Sequence, residues 1–161
     1  MDQIFPTLRF EPYDLVNGRE QYLNCYRDTW QIAHGSLEGF DANAAWETAT
    51  LRGRESKDNV LAAYVEDRFA GVLAMDDRRG RFTGRGWIAF FYLLPEFRGR
   101  GLGRQLMEEA ARHYRAIGRK VLRLTVARDN PAVGFYRKTG FRHTGWEPGA
   151  LEDLMVMEKK L

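Results

Sequence analysis

Cysteine and serine are nearly absent from this sequence. Cys25 is the single cysteine, which excludes an internal disulfide and fits a reducing compartment. Ser36 and Ser56 are the only serines, and neither is flanked as in a nucleophile elbow. His34, His113 and His143 show no metal-ligand spacing, so neither a hydrolase triad nor a zinc site is expected. No apolar run approaches the ~18 residues of a membrane span. Residues 1–10 contain Asp2 and Pro6 and lack the basic leader and long apolar stretch of a secretory signal. The expectation is a soluble cytoplasmic protein without membrane association.

The 161 residues suffice for one domain, expected to span 1–161, and a domain of this size buries roughly 70% of its unfolded surface. The composition is globular, 44% hydrophobic and 29% charged. Its net charge of +3 hides an asymmetry. Residues 1–96 carry 11 Lys/Arg and 15 Asp/Glu, residues 97–142 carry 12 and 3, and residues 143–161 carry 2 and 4. A basic block of that kind suits nucleic acid, a membrane surface or a small phosphorylated molecule. Nucleic acid would require exposed aromatics among the arginines, and few stand there, so it is not expected as a partner. Arg112, Arg115, Arg119 and Arg123 can equally form a solvated face, whereas Arg98, Arg100 and Arg104 are interleaved with glycine.

Hydrophobic periodicity predicts a first strand over Leu8 to Tyr13 and a helix over Arg19 to His34, with Tyr22, Tyr26, Trp30 and His34 on one stripe. Asp41 caps a second helix that ends near Gly53. Val60 to Val65 and Phe69 to Met75 read as an antiparallel hairpin, and Asp76 to Gly86 as a charged loop. Trp87 to Leu94, apolar on both faces, reads as the centre of a covered sheet. A helix then carries Leu102, Leu106, Ala110, Tyr114 and Ile117 on one stripe and is closed by Gly118. Val121 to Val126 forms the next strand, and Asn130-Pro131 opens a helix ended by Gly140. The last strands are Phe141 to Trp146 and Asp153 to Glu158.

Leu93 to Gly103 delivers a strand through a glycine-rich loop straight into a helix. About four N–H groups in the first turn of a helix lack intrahelical partners, the helix dipole adds roughly half a positive charge, and glycine lets an anion approach the backbone. A pyrophosphate is the natural guest. The loop lacks the Gly-Lys-Ser/Thr of a Walker A motif. Its glycines run Gly99-x-Gly101-x-Gly103 instead of G-x-G-x-x-G, and Asp129 lies too far downstream to serve a Rossmann ribose.

Pro95-x-x-Arg98-Gly99-x-Gly101-x-Gly103 resembles the pyrophosphate loop of the GNAT N-acetyltransferases, and Asn130, Phe135-Tyr136 and Gly140-Phe141 follow in that family's order. The resemblance implies a mixed α/β fold, a mostly antiparallel central sheet with one splayed parallel strand pair, flanked by helices. It divides the chain into an acceptor-side half (1–86), an acetyl-CoA-binding core (87–146) and a C-terminal strand (147–161). It implies that the backbone of Leu93 and Leu94 holds the pantetheine arm, while Arg98, Gly99, Arg100, Gly101, Leu102, Gly103 and Arg104 hold the pyrophosphate. Asn130 would cap its helix beside the cofactor, and Tyr136 would contact acetyl-CoA and protonate the departing thiolate. Trp30 and His34, with Phe40 and Trp46, would wall the acceptor, if they do not simply pack in the core. The central strand lacks the glutamate that serves many relatives as base, so the amine would arrive neutral, lose its proton through water, or use a base from elsewhere, for which His34, Glu38 and Glu47 are candidates. The implied activity is direct transfer of an acetyl group from acetyl-CoA to a primary amine, on a small amine, amino acid, polyamine or peptide, by a monomer or homodimer. The alternative is a catalytically silent acyl-CoA-binding module.

Overall fold

Seven strands form one sheet in the order β1-β2-β3-β4-β5-β7-β6 in the computed structural model, which describes residues 6–161. The strands are β1 (Leu8–Pro12), β2 (Val60–Val65), β3 (Arg68–Asp76), β4 (Arg85–Leu93), β5 (Val121–Val126), β6 (Arg142–Pro148) and β7 (Asp153–Lys160). The helices are α1 (Arg19–His34), α2 (Ala42–Glu55), α3 (Leu102–Ala116) and α4 (Ala132–Lys138). Every neighbouring pair is antiparallel except β4 with β5. The fold is therefore mixed α/β with a mostly antiparallel sheet and one parallel pair. The leader reading falls partly on residues 1–5, which lie outside the described residues.

Side chains alternate across the pleat, so β2, β3 and β4 each feed two cores. Leu61, Leu73 and Met75 face α3 and α4, where they meet Leu106, Ala110 and Tyr114. Val60, Ala62, Val72 and Ala74 face α1 and α2, where they meet Tyr22, Cys25 and Ala49. This two-sided burial explains why β2 to β4 read as continuous apolar runs. The expected stripe of α3 holds through Tyr114, while Ile117 lies beyond the helix and is exposed. Gly118 takes the left-handed conformation (φ 82°) that ends the helix.

The helix α2 ends soon after Gly53, at Glu55, as expected; the missing side chain at Gly53 lets Leu15 pack close, since a Cβ there would sit 2.1 Å from Leu15 Cδ1. Strand β4 begins two residues early, at Arg85.

Candidate active site

The ladder between β4 and β5 is short. It pairs Arg85 with Val121, Gly86 with Leu122 and Trp87 with Arg123, and then stops, although β4 continues to Leu93 and β5 to Val126. A bulge lies just beyond this point: Met75 pairs with Ile88 and Ala74 with Phe90, leaving Ala89 without a partner on β3. Consequently Ile88 faces the α3 core while Phe90, two residues on, faces the α1 core. A bulge bends its strand and sharpens its twist, which carries β4 away from β5. Tyr114 supports the paired end, donating to the Trp87 carbonyl at 2.6 Å with its ring over Gly86, where a Cβ would lie 2.3 Å from the ring.

The far end of this gap meets the glycine loop. Gly99 and Gly101 have φ of 76° and 78°, a region that L side chains avoid. Gly101 precedes α3, and no side chain among the described residues caps the helix. Its first-turn N–H groups are thus left to a guest, and Arg100 and Arg104 extend exposed beside them. Leu102 is buried in the core and contributes backbone only. Gly103 has a packing role as well, since a Cβ would come within 3.1 Å of the Phe135 ring.

Arg98 and Leu94 sit differently from the expectation. The Arg98 guanidinium turns away from the loop, donating to the Leu93 carbonyl (2.8 Å) and to Asp28 Oδ2 (3.1 Å), which also accepts from the Tyr92 hydroxyl (2.6 Å). This ties the loop to α1. Leu94 donates to the Ala70 carbonyl (2.8 Å) and accepts from Phe97 N–H (2.9 Å), so its backbone groups are already used. Antiparallel alternation then turns the amides of Leu93 and Phe91 toward the gap.

Tyr26, Thr29, Trp30, Ala33 and His34 of α1, residues 88–91 of β4, residues 124–127, Asn130, Tyr136 and Leu154 line one open cleft of about 200 Å³. Tyr136 and Asn130 are thereby brought together with Trp30 and His34. The Tyr136 ring packs edge-on to Phe91, Phe135 and Phe141. Burial alone pushes its phenol well above the ordinary tyrosine value. Asn130 Oδ1 accepts from Ala132 N–H at 2.9 Å, which is a helix cap, and Pro131 already has helical dihedrals. The α1 stripe divides: Tyr22 is fully buried and Tyr26 packs on the core, whereas Trp30 and His34 face the cleft, with rings 4.6 Å apart. The Trp30 indole donates to the Glu38 carbonyl at 2.9 Å. Phe40 and Trp46 pack against the α1 core instead. Neither Glu38 nor Glu47 is on the cleft wall.

The family model described as "Acetyltransferase (GNAT) family" matches residues 18–141. The chain belongs to the GNAT acetyltransferase family. An uncharacterized N-acetyltransferase of Archaeoglobus fulgidus is 38% identical over 138 residues, covering 83% of this chain and 90% of that one. The PaiA N-acetyltransferase of Thermoplasma acidophilum, solved in complex with coenzyme A, has the same fold at TM-score 0.66 and 20% identity, covering 96% of this chain and 99% of that one. A putative acetyltransferase of Salmonella typhimurium, solved with its cofactor acetyl-CoA, superposes at TM-score 0.66 and 18% identity, covering 96% and 94%.

The GNAT core here fits a CoA thioester on its own geometry: an open strand gap for an extended arm, ending on an uncapped helix with two left-handed glycines. The basic block is only partly directed there. Arg112 and Arg115 pair with Glu109 and Glu108 on the surface. Arg119 donates to the carbonyls of Arg85 and Asp77, and Arg123 pairs with Glu158. Sequence reading missed Asp28, Tyr92 and Tyr114, which position the strand and loop from remote parts of the chain. Among the described residues no cluster of three His, Cys, Asp or Glu could hold a metal, and no helix is long and apolar enough to cross a membrane.

Proposed function

We propose that this protein is an N-acetyltransferase that moves an acetyl group from acetyl-CoA to a primary amine by direct attack, without a covalent enzyme intermediate. The observation that carries this reading is the break in the β4–β5 ladder after Trp87, with the buried phenol of Tyr136 on the cleft it opens. When bound, acetyl-CoA supplies an activated thioester. The N–H groups of the Gly99–Arg104 segment hold the pyrophosphate, with Arg100 and Arg104 adding charge. The amides of Phe91 and Leu93 that face the gap bind the pantetheine arm and polarise the carbonyl. Holding thioester and amine together in one cleft lowers the entropic part of the barrier. Tyr136 gives its proton to the departing sulfur, a role suited to a phenol that burial keeps protonated.

The acceptor class stays as broad as a small amine, amino acid, polyamine or peptide amine. The test is thiol release from acetyl-CoA with a panel of phenylethylamine, spermidine, glycine, lysine and a peptide with a free N-terminus. Amine-dependent release supports the reading. Binding of acetyl-CoA without release for any amine would instead assign the chain as a silent acyl-CoA-binding module, the reading that the carboxylate-free cleft wall favours.

A further inference from the structure

We propose that His34 is the general base of the transfer, taking a proton from the acceptor amine directly or through one water. The inference rests on the acetyltransferase reading above. Two observations carry it: among the described residues His34 is the one side chain on the cleft wall that offers a basic ring nitrogen, and it stands at the boundary between the cleft and an outer hollow.

Among the described residues the wall contains no carboxylate, lysine or cysteine. Its ionisable members are Tyr26, Tyr136 and His34, and burial raises both phenols, which therefore keep their protons. Other candidates are occupied or elsewhere. Asp28 is taken by Tyr92 and Arg98. The Cys25 thiol lies in the core and is pushed up to about 12 by burial. Among the described residues neither ring nitrogen of His34 has a hydrogen-bond partner; the ring rests against Trp30, itself pinned through its indole N–H. An imidazole held in place with unused nitrogens is available to an incoming amine or water.

The outer hollow is lined by Ile32, Ala33, His34, Gly35, Asp129, Leu151 and Glu152. Ala33 and His34 belong to both concavities, so a proton accepted inside can leave outside. His34 contacts Trp30 on its own helix, shares the cleft wall with the polar groups of Tyr26, Thr29, Asn130 and Tyr136, and shares the hollow with Asp129 and Glu152. His34 also occupies the last turn of α1, the helix end whose partial negative charge accommodates a cation.

The step balances. As the amine nitrogen bonds to the thioester carbon, one N–H proton passes to a His34 ring nitrogen. The carbon–sulfur bond breaks with its electron pair on sulfur, which takes the Tyr136 proton. Imidazolium and phenolate then re-equilibrate through water, so amine and thioester have become amide and thiol and the protein is unchanged.

The experiment compares the parent protein with His34→Gln and His34→Ala, using the panel amine that the parent turns over fastest. The expected result has three parts. Both variants keep the melting shift given by acetyl-CoA, kcat falls about 10²-fold with an altered pH–rate profile, and added imidazole restores part of the His34→Ala rate. Undiminished kcat in His34→Gln would overturn the proposal. So would a rate loss with an unaltered pH profile and no rescue, which would make His34 a wall residue only. Loss of the melting shift in both variants would overturn it too, because His34 would then act on the fold or the cofactor site. If the parent transfers acetyl to no amine, the acetyltransferase reading falls and the base falls with it; if the parent transfers and His34→Gln does so equally, only the base falls.

Discussion

A phenol set on a buried ring is disfavoured as a phenolate, and Tyr136 is such a phenol, with aromatic rings on three sides. Tyr136→Phe retains the ring and removes only the hydroxyl. The expected outcome is a fall in kcat of about 10² to 10⁴ with acetyl-CoA affinity little changed, checked by steady-state rates and melting curves on one preparation. Near-normal kcat in folded Tyr136→Phe would remove this residue from the mechanism. Because burial raises its ionisation, the donor form persists well into the alkaline range, so no loss of kcat from this group is expected up to about pH 10. Asp28 belongs to this scale as well. Asp28→Ala leaves Arg98 and Tyr92 without their shared acceptor, and because the pair is partly solvated a loss of about 1 kcal/mol, or a few degrees in melting temperature, is expected. Tyr136 could be singled out as a candidate in the sequence because its neighbours stand in a recognisable order along the chain, and it lies on the cleft wall. Asp28 was not, because its partner Arg98 is 70 residues away and an aspartate on a helix surface has no distinctive local pattern.

Elements were legible where local pattern and burial agree. The β2–β3 hairpin, α1 and α3 carry apolar periodicity strong enough to place them within a residue or two. The departure of β4 from β5 depends on a bulge at Ala89 and on Tyr114 from α3, both consequences of long-range packing that no window of sequence contains. The glycine loop is where the two kinds of information meet. Gly101→Val puts a β-branched side chain in the left-handed region, and Gly103→Val drives a branch into Phe135, so each is expected to weaken CoA binding far more than Arg112→Ala on the exposed face of α3. Titration calorimetry checks this; equal losses for Gly103→Val and Arg112→Ala would favour bulk charge over a phosphate cradle. At the paired end of the gap, Glu158 of β7 accepts from Arg123 of β5 (2.5 Å) and Arg85 of β4 (3.4 Å). Burial by itself would raise Glu158, but the Arg123 hydrogen bond and the charges of Arg123 and Arg85 outweigh it and hold it below the ordinary carboxylate value. A lowered folded-state value stabilises the fold above the unfolded value and is lost as pH falls through the folded one. Glu158→Gln is therefore expected to lower the melting temperature at pH 7, and by less as the pH falls below the ordinary carboxylate range.

The whole molecule brings α1, β4, β5 and the start of α4 around one cleft, and on the proposed reading α1 would wall the acceptor and the start of α3 would hold the pyrophosphate. Acetyl-CoA binding to the folded state alone stabilises it by mass action. At about 100 times its dissociation constant the gain is about 2.7 kcal/mol, expected as a rise of roughly 5 to 10 °C in melting temperature, and no shift at millimolar acetyl-CoA would contradict the cofactor assignment. The most direct measurement of the central claim follows isotope-labelled acetyl-CoA with the amine that responds in the thiol-release panel, quantifying free CoA, acetylated amine and the intact mass of the protein together. Direct transfer predicts one acetylated amine for each CoA released and no acetylated protein during turnover. Release of CoA without labelled amine, or label held on the protein before it reaches the amine, would contradict it.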